Sequence, residues 1–264
     1  MPTAITPQGA VHYEAEGNGP PVILIHGYTQ SWDTWRSTIE QYADRYRMYA
    51  PDLWGFGLSE KERRTSFKVS DFIDLIPQLM EKLGMGRVAI MGHSMGGTTA
   101  LGVAIKYPEL VSKVAVVGSP IVGSSLSPFL KLMAVRSFAH LMLMGESKPL
   151  LRAFIRVWSY AVSRQNPDMF YKHFVANMKY SNESFVESID SLRRVDLRSR
   201  LPGIQVPALG VFGSRDVIVN PNQARVFSEC LPDAQLQVID GAGHFPMWDT
   251  PRQFFEAFEK FMEM

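Results

Sequence analysis

Ser94 stands in Gly92-His93-Ser94-Met95-Gly96-Gly97, directly after the apolar run Val88-Ala89-Ile90-Met91 and before a helix-compatible stretch at 98–106. A buried strand, Gly-x-Ser-x-Gly and a helix in that order predict a very sharp turn. Such a turn holds the serine in a strained conformation and raises its hydroxyl above a sheet, at a helix N-terminus. The glycines leave the room that strand and helix need to pass closely. A serine hydroxyl is a weak nucleophile until a base removes its proton. Of the six histidines, His244 in Gly241-Ala242-Gly243-His244-Phe245-Pro246 is the candidate base, because its loop follows the last expected strand and precedes the final helix. His26 and His93 are enclosed in glycine motifs of their own, His12 lies on an expected edge strand, and His140 and His173 fall among helices.

A base of this kind needs a carboxylate to hold one tautomer and stabilise the imidazolium. Asp216, in Gly213-Ser214-Arg215-Asp216-Val217 after the run at 208–212, is the candidate. Asp249 lies five residues past His244 and is expected as a cap or first-turn charge of the last helix. A tetrahedral oxyanion would take its donors from two backbone amides. One is Met95, at the helix start, and the other is Tyr28, in His26-Gly27-Tyr28-Thr29. The chemistry that these residues suit is nucleophilic acyl transfer.

The elements that must position them are legible as alternation. Apolar, β-branched runs at 22–25, 47–50, 88–91, 114–117, 208–212 and 236–239 are separated by helix-like stretches at 31–46, 70–83, 98–107, 222–231 and 251–262. Such alternation predicts an α/β fold with a mostly parallel sheet covered by helices, and active sites of these sheets gather at the carboxyl ends of the strands. The run at 11–15 reads as an antiparallel edge strand.

Between 121 and 200 the alternation stops. That interval reads as helices, among them 128–144 and 150–164, and 128–144 is apolar on nearly every side. We expect a helical cap (lid) inserted at 121–200 into a core domain of 1–120 and 201–264. The cap interval carries twelve Lys/Arg and six Asp/Glu, the remainder fifteen and twenty. Tyr28, Met95, Phe129, Met133, Phe138, Met142, Phe154 and Trp158, with Phe245 and Trp248 on one side, are expected to line an apolar, adaptable pocket.

The chain has 264 residues, 46% hydrophobic and 20% charged, with a net charge of +1, and this balance points away from nucleic acid. The single Cys230 excludes an internal disulfide and Cys-rich metal sites. No basic-then-apolar leader opens the chain, and no uncharged apolar run reaches the ~18 residues of a membrane span. A soluble, cytoplasmic protein without metal or organic cofactor is expected.

His26-Gly27, Pro51-Asp52-Leu53-Trp54-Gly55-Phe56-Gly57-Leu58-Ser59, the Gly92–Gly97 elbow, Asp216 and Gly243-His244-Phe245-Pro246 together resemble the α/β-hydrolase superfamily, in its cap-bearing, cofactor-free branch of esterases, lactonases and C–C hydrolases. The resemblance covers almost the whole chain, and the order Ser94, Asp216, His244 matches it. Some relatives place the acid one strand earlier, where this chain reads Gly118-Ser119-Pro120. Relatives that hydrolyse epoxides or haloalkanes use aspartate where Ser94 stands. The resemblance implies a small-molecule, apolar ester or lactone as substrate. C–C bond hydrolases, peroxyacid-forming relatives and ligand-binding receptors that retain the three residues are its alternatives.

Overall fold

Eight strands build one sheet: β1 (Thr3–Thr6), β2 (Gly9–Glu16), β3 (Pro21–Ile25), β4 (Arg47–Pro51), β5 (Val88–His93), β6 (Val111–Val117), β7 (Ala208–Gly213) and β8 (Gln235–Ile239). Their order is β1-β2-β4-β3-β5-β6-β7-β8, with β3 to β8 mutually parallel and β2 antiparallel to both neighbours. The computed structural model describes residues 2–62, 66–143, 148–178 and 180–264, without the side chains of 140–143 and 148. Every residue of β5 and β7 is buried, as parallel strands covered on both faces require.

Helices α1 (Arg36–Tyr42), α2 (Val69–Lys82) and α3 (Met95–Lys106) follow β3, β4 and β5. Between β6 and β7 come α4 (Pro128–Met133), α5 (Arg136–Leu143), α6 (Lys148–Val162), α7 (Pro167–Ala176) and α8 (Asn182–Leu192). After β7 lie α9 (Gln223–Cys230), then α10 (Pro246–Asp249) and α11 (Pro251–Met262). The last helix shows why such segments fold as they do. Phe254, Phe258 and Phe261 fall on one face at helical spacing and are all buried, each stabilising the fold by roughly 1.5–3 kcal/mol. None of the described helices is long and apolar enough to cross a membrane.

Three details differ from the sequence reading. Residues 11–15 do form an antiparallel strand, but it is second in the sheet, and β1 is the edge. The segment Thr-Ala-Ile-Thr pairs back through the two-residue loop at Pro7 and Gln8, burying Ala4 and Thr6 alone. The helix expected over 31–46 divides into a 3₁₀ turn, Trp32–Trp35, and the short α1. The helix expected over 128–144 is two helices, α4 and α5, turned apart at Ala134 and Val135, and Met144 lies outside the described residues. The break explains the apolar surface on nearly every side. Each half packs its own face on α8, so no single stripe runs through both.

Candidate active site

The register of the parallel strands brings five carboxyl ends side by side, and each delivers a loop to the same place. Ile25 pairs with Gly92, His93 with Val117, Val117 with Val211, and Gly213 with Ile239. His26, Ser94, Gly118, Asp216 and His244 follow these ends.

Ser94 has φ 53° and ψ −119°, and it is the residue between β5 and α3. Among the described residues, only Thr29 shares a positive φ without being glycine. Such a conformation costs about 1–3 kcal/mol and persists only where the surroundings enforce it. Here Ser94 N–H donates to Val117 O at 2.8 Å, and its carbonyl accepts from Gly97 and Thr98 at 3.0 and 3.1 Å. A Cβ on Gly92 would stand 2.1 Å from Gly96 O, and one on Gly96 would stand 2.2 Å from Ile25 O. Strand and helix cross too closely for any other residue.

His244 Nδ1 lies 2.7 Å from Asp216 Oδ2, and both side chains are buried. Because a carboxylate only accepts, the proton sits on Nδ1 and leaves the Nε2 lone pair free. Asp216 Oδ1 accepts from the Ile218 and Val219 amides at 2.8 and 2.9 Å, which locks the carboxylate in a turn. Gly118 packs beneath the pair: a Cβ there would be 3.3 Å from His244 Nδ1 and 3.5 Å from Asp216 Oδ2.

The His244 loop hangs on the end of α6. His244 N–H donates to Val162 O at 2.8 Å. The Asp249 carboxylate accepts from Gly243 N–H (2.7 Å), Ser163 Oγ (2.6 Å) and the amides of Arg164 and Gln165 (3.1 Å each). Asp249 therefore does not cap the last helix. It clamps the His244 loop to the helices between β6 and β7, a role invisible in sequence because three of its four partners lie about eighty-five residues away.

Ser94 and His244 both face a cavity roofed by those helices. Of the residues expected at its wall, Tyr28, Phe129, Met133, Trp158 and Phe245 line it. Four others do not. The Met95 side chain points into the core and is fully buried, and Phe138 packs half-buried against the core elsewhere. Phe154 is 42% exposed on the outer side of α6, with its ring 5.0 Å from Phe129 and 5.8 Å from Trp158. Trp248 stands one layer back, stacked on Phe245 at 4.2 Å and donating from Nε1 to Thr34 O. Met142 lies outside the described side chains.

One face of α6 is legible in the sequence. Leu151, Ile155, Trp158 and Val162 line the cavity and recur at the spacing of one helix face. Phe170, His173 and Phe174 from α7, and Tyr180 and Phe185 beyond it, complete the roof, and no spacing in the chain pointed to them.

The amides of Tyr28 and Met95 have no hydrogen-bond partner among the described residues, whereas Gly27 N–H donates to Gln30 Oε1 at 3.1 Å. The turn that presents Tyr28 is pinned by His26, whose Nε2 accepts from Leu53 N–H (2.9 Å) and whose Nδ1 donates to Gly27 O (2.8 Å). Burial lowers the His26 pKa, and the same desolvation, with His244 beside it, holds His93 well below the ordinary imidazole range.

Residues 20–251 match the family model described as alpha/beta hydrolase fold, and the chain belongs to that family. It is 26% identical over 257 residues to the pimeloyl-[acyl-carrier protein] methyl ester esterase of Aeromonas hydrophila, covering 96% of this chain and 99% of that one. It is also 26% identical over 263 residues to a 2-hydroxy-6-oxononadienedioate/2-hydroxy-6-oxononatrienedioate hydrolase of a Pseudomonas species, covering 96% and 92%. The fold superposes with a TM-score of 0.84 on a thermophilic esterase from Thermogutta terrifontis, at 23% identity, over 99% of this chain and 97% of that chain.

Proposed function

We propose that this chain is a serine hydrolase that cleaves a carboxylic ester or lactone with a medium acyl or aryl group, through an acyl-enzyme. The observation that carries this reading is Ser94, held at φ 53° on the same cavity as the buried His244–Asp216 pair. Ser94 Oγ attacks the carbonyl while His244 Nε2 takes its proton. Asp216 holds the Nδ1–H and stabilises the imidazolium that forms. The unengaged amides of Met95 and Tyr28 receive the oxyanion, each worth about two to three orders of magnitude in rate. His244 then returns the proton to the leaving group and activates the water that releases the acid.

In this reading, 121–200 is the cap, and 1–120 with 201–264 is the core that carries the chemistry. The apolar cavity wall favours chains longer than acetate. The 26% identity to the hydrolase from Pseudomonas supports a second reading, in which the same three residues cleave a carbon–carbon bond in a vinylogous diketone.

Labelling by a fluorophosphonate probe, run beside a p-nitrophenyl ester chain-length series on wild type and Ser94→Ala, tests the proposal. Labelling and turnover that both disappear in the variant support the acyl-enzyme. Labelling without ester turnover moves the assignment to the second reading. Absence of labelling refutes both.

A further inference from the structure

His93 stands directly before Ser94, fully buried at the end of β5, and none of the acyl-transfer steps uses it. Its Nε2 lies 2.9 Å from the main-chain oxygen of His244, a residue 151 positions further along the chain. A carbonyl oxygen only accepts, so the ring proton must sit on Nε2 for this contact to be a hydrogen bond. The other ring nitrogen settles the tautomer. Nδ1 lies 3.2 Å from Gln30 Oε1, the longer of the two contacts, and that oxygen already accepts from Gly27 N–H at 3.1 Å and from Thr34 Oγ1 at 3.0 Å. Both of its lone pairs are engaged, and burial keeps the imidazole neutral with a single proton to place. That proton sits on Nε2 and is donated to His244 O.

The bond bridges the two groups that must react. Its donor is one residue from Ser94, and its acceptor is the carbonyl of the residue that carries the imidazole. Among the described residues no hydrogen bond joins Ser94 Oγ to His244 Nε2 directly, so their approach depends on what holds the two backbones together. The other hydrogen bonds of His244 run elsewhere. Its amide donates to Val162 O at the end of α6, and its Nδ1 meets Asp216 beyond β7. The His93 ring is itself closely held. Phe245 lies 4.4 Å away, centre to centre, and Gly27 approaches so nearly that a Cβ there would stand 3.0 Å from Nδ1.

We propose that His93 is a positioning residue: its Nε2–H ties the His244 main chain to the elbow and so sets the distance over which the Ser94 proton is transferred. The inference rests on the hydrolase reading above for its kinetic consequence, and on the hydrogen bond alone for its structural one.

Two substitutions that differ by one methylene test it. His93→Gln brings an amide nitrogen close to the Nε2 position and keeps the donor, whereas the shorter His93→Asn carries the same neutral amide but does not reach His244 O. With p-nitrophenyl hexanoate, kcat should fall about 100-fold in His93→Asn with KM within about twofold, and stay within about threefold of wild type in His93→Gln. Labelling by the fluorophosphonate should slow in the same order. A second readout needs no substrate. The downfield proton NMR signal of the His244 Nδ1–H···Asp216 bond should be sharp in wild type and His93→Gln, and broadened or lost in His93→Asn. Equal kcat in the two variants, a loss confined to KM, or an Nδ1–H signal unchanged in His93→Asn would overturn the positioning role. A wild type that neither labels nor turns over ester, with an Nδ1–H signal that still separates the two variants, would overturn the hydrolase reading and leave the tie standing.

Discussion

The molecule holds two buried histidine–aspartate pairs of nearly the same geometry. His12 Nδ1 lies 2.9 Å from Asp52 Oδ2, and His244 Nδ1 lies 2.7 Å from Asp216 Oδ2. Each carboxylate also accepts from two backbone amides, Trp32 and Leu58 for Asp52, Ile218 and Val219 for Asp216. Burial alone would raise the Asp52 pKa, but the hydrogen bond from His12, the nearby His26 and the two amides outweigh it and hold the carboxyl below its ordinary range. What separates the pairs is the second imidazole nitrogen. His12 Nε2 is buried without a hydrogen bond, 3.4 Å from Glu14, whereas His244 faces a cavity shared with Ser94. A His–Asp pair is therefore a structural clamp or a candidate base according to what its far side meets.

The comparison predicts opposite consequences for matched substitutions. Ser94→Ala should lower kcat by about 10⁴-fold or more, and Asp216→Asn by about 10⁴-fold, both with folded protein retained by circular dichroism. Asp52→Asn should do the reverse. It removes a charged acceptor from three donors, lowers Tm by roughly 5 °C, and leaves kcat/KM of the folded fraction within about threefold. An Asp52→Asn protein with wild-type Tm and lost turnover would break the distinction.

Asp249→Asn should fall between the two. It loosens the clamp on the His244 loop and should reduce kcat by about tenfold with KM little changed. A change in KM alone would place Asp249 with the substrate instead.

The smallest effect is on acid stability. His26 and His93 are held neutral in the fold, with pKa values below the ordinary 6.5, so the unfolded chain takes up protons first as pH falls. Their contribution to stability is complete above about pH 6.5 and is lost progressively below it, toward the folded pKa values. Tm should decline from pH 7 to 5 in differential scanning calorimetry. A Tm that stays level or rises over that range contradicts the assignment of both rings as neutral.

Much of the frame was legible because buried parallel strands are continuous apolar runs, and the six expected between 22 and 239 all occur. The edge strand Thr3–Thr6 escaped because four alternating residues leave little pattern to recognise. The break between α4 and α5 escaped because the apolar residues continue through it, and no proline or glycine marks the turn at Ala134 and Val135. At the site, the glycines around Ser94 and His244 marked both residues. Asp249 carried no such mark, since its clamp depends on contacts across the fold.

By itself the sequence determined the local events. Gly92 admits the sharp turn at Ser94, because any Cβ there would meet the carbonyl of Gly96, four residues on in the same segment. Only the tertiary structure decided which aspartate meets which histidine. Those contacts span 40 residues in one pair and 28 in the other, and strand order alone brings them together. It also decided that His244 looks onto a cavity while His12 looks onto packed protein, because burial belongs to the assembled sheet and helices rather than to any segment of the chain.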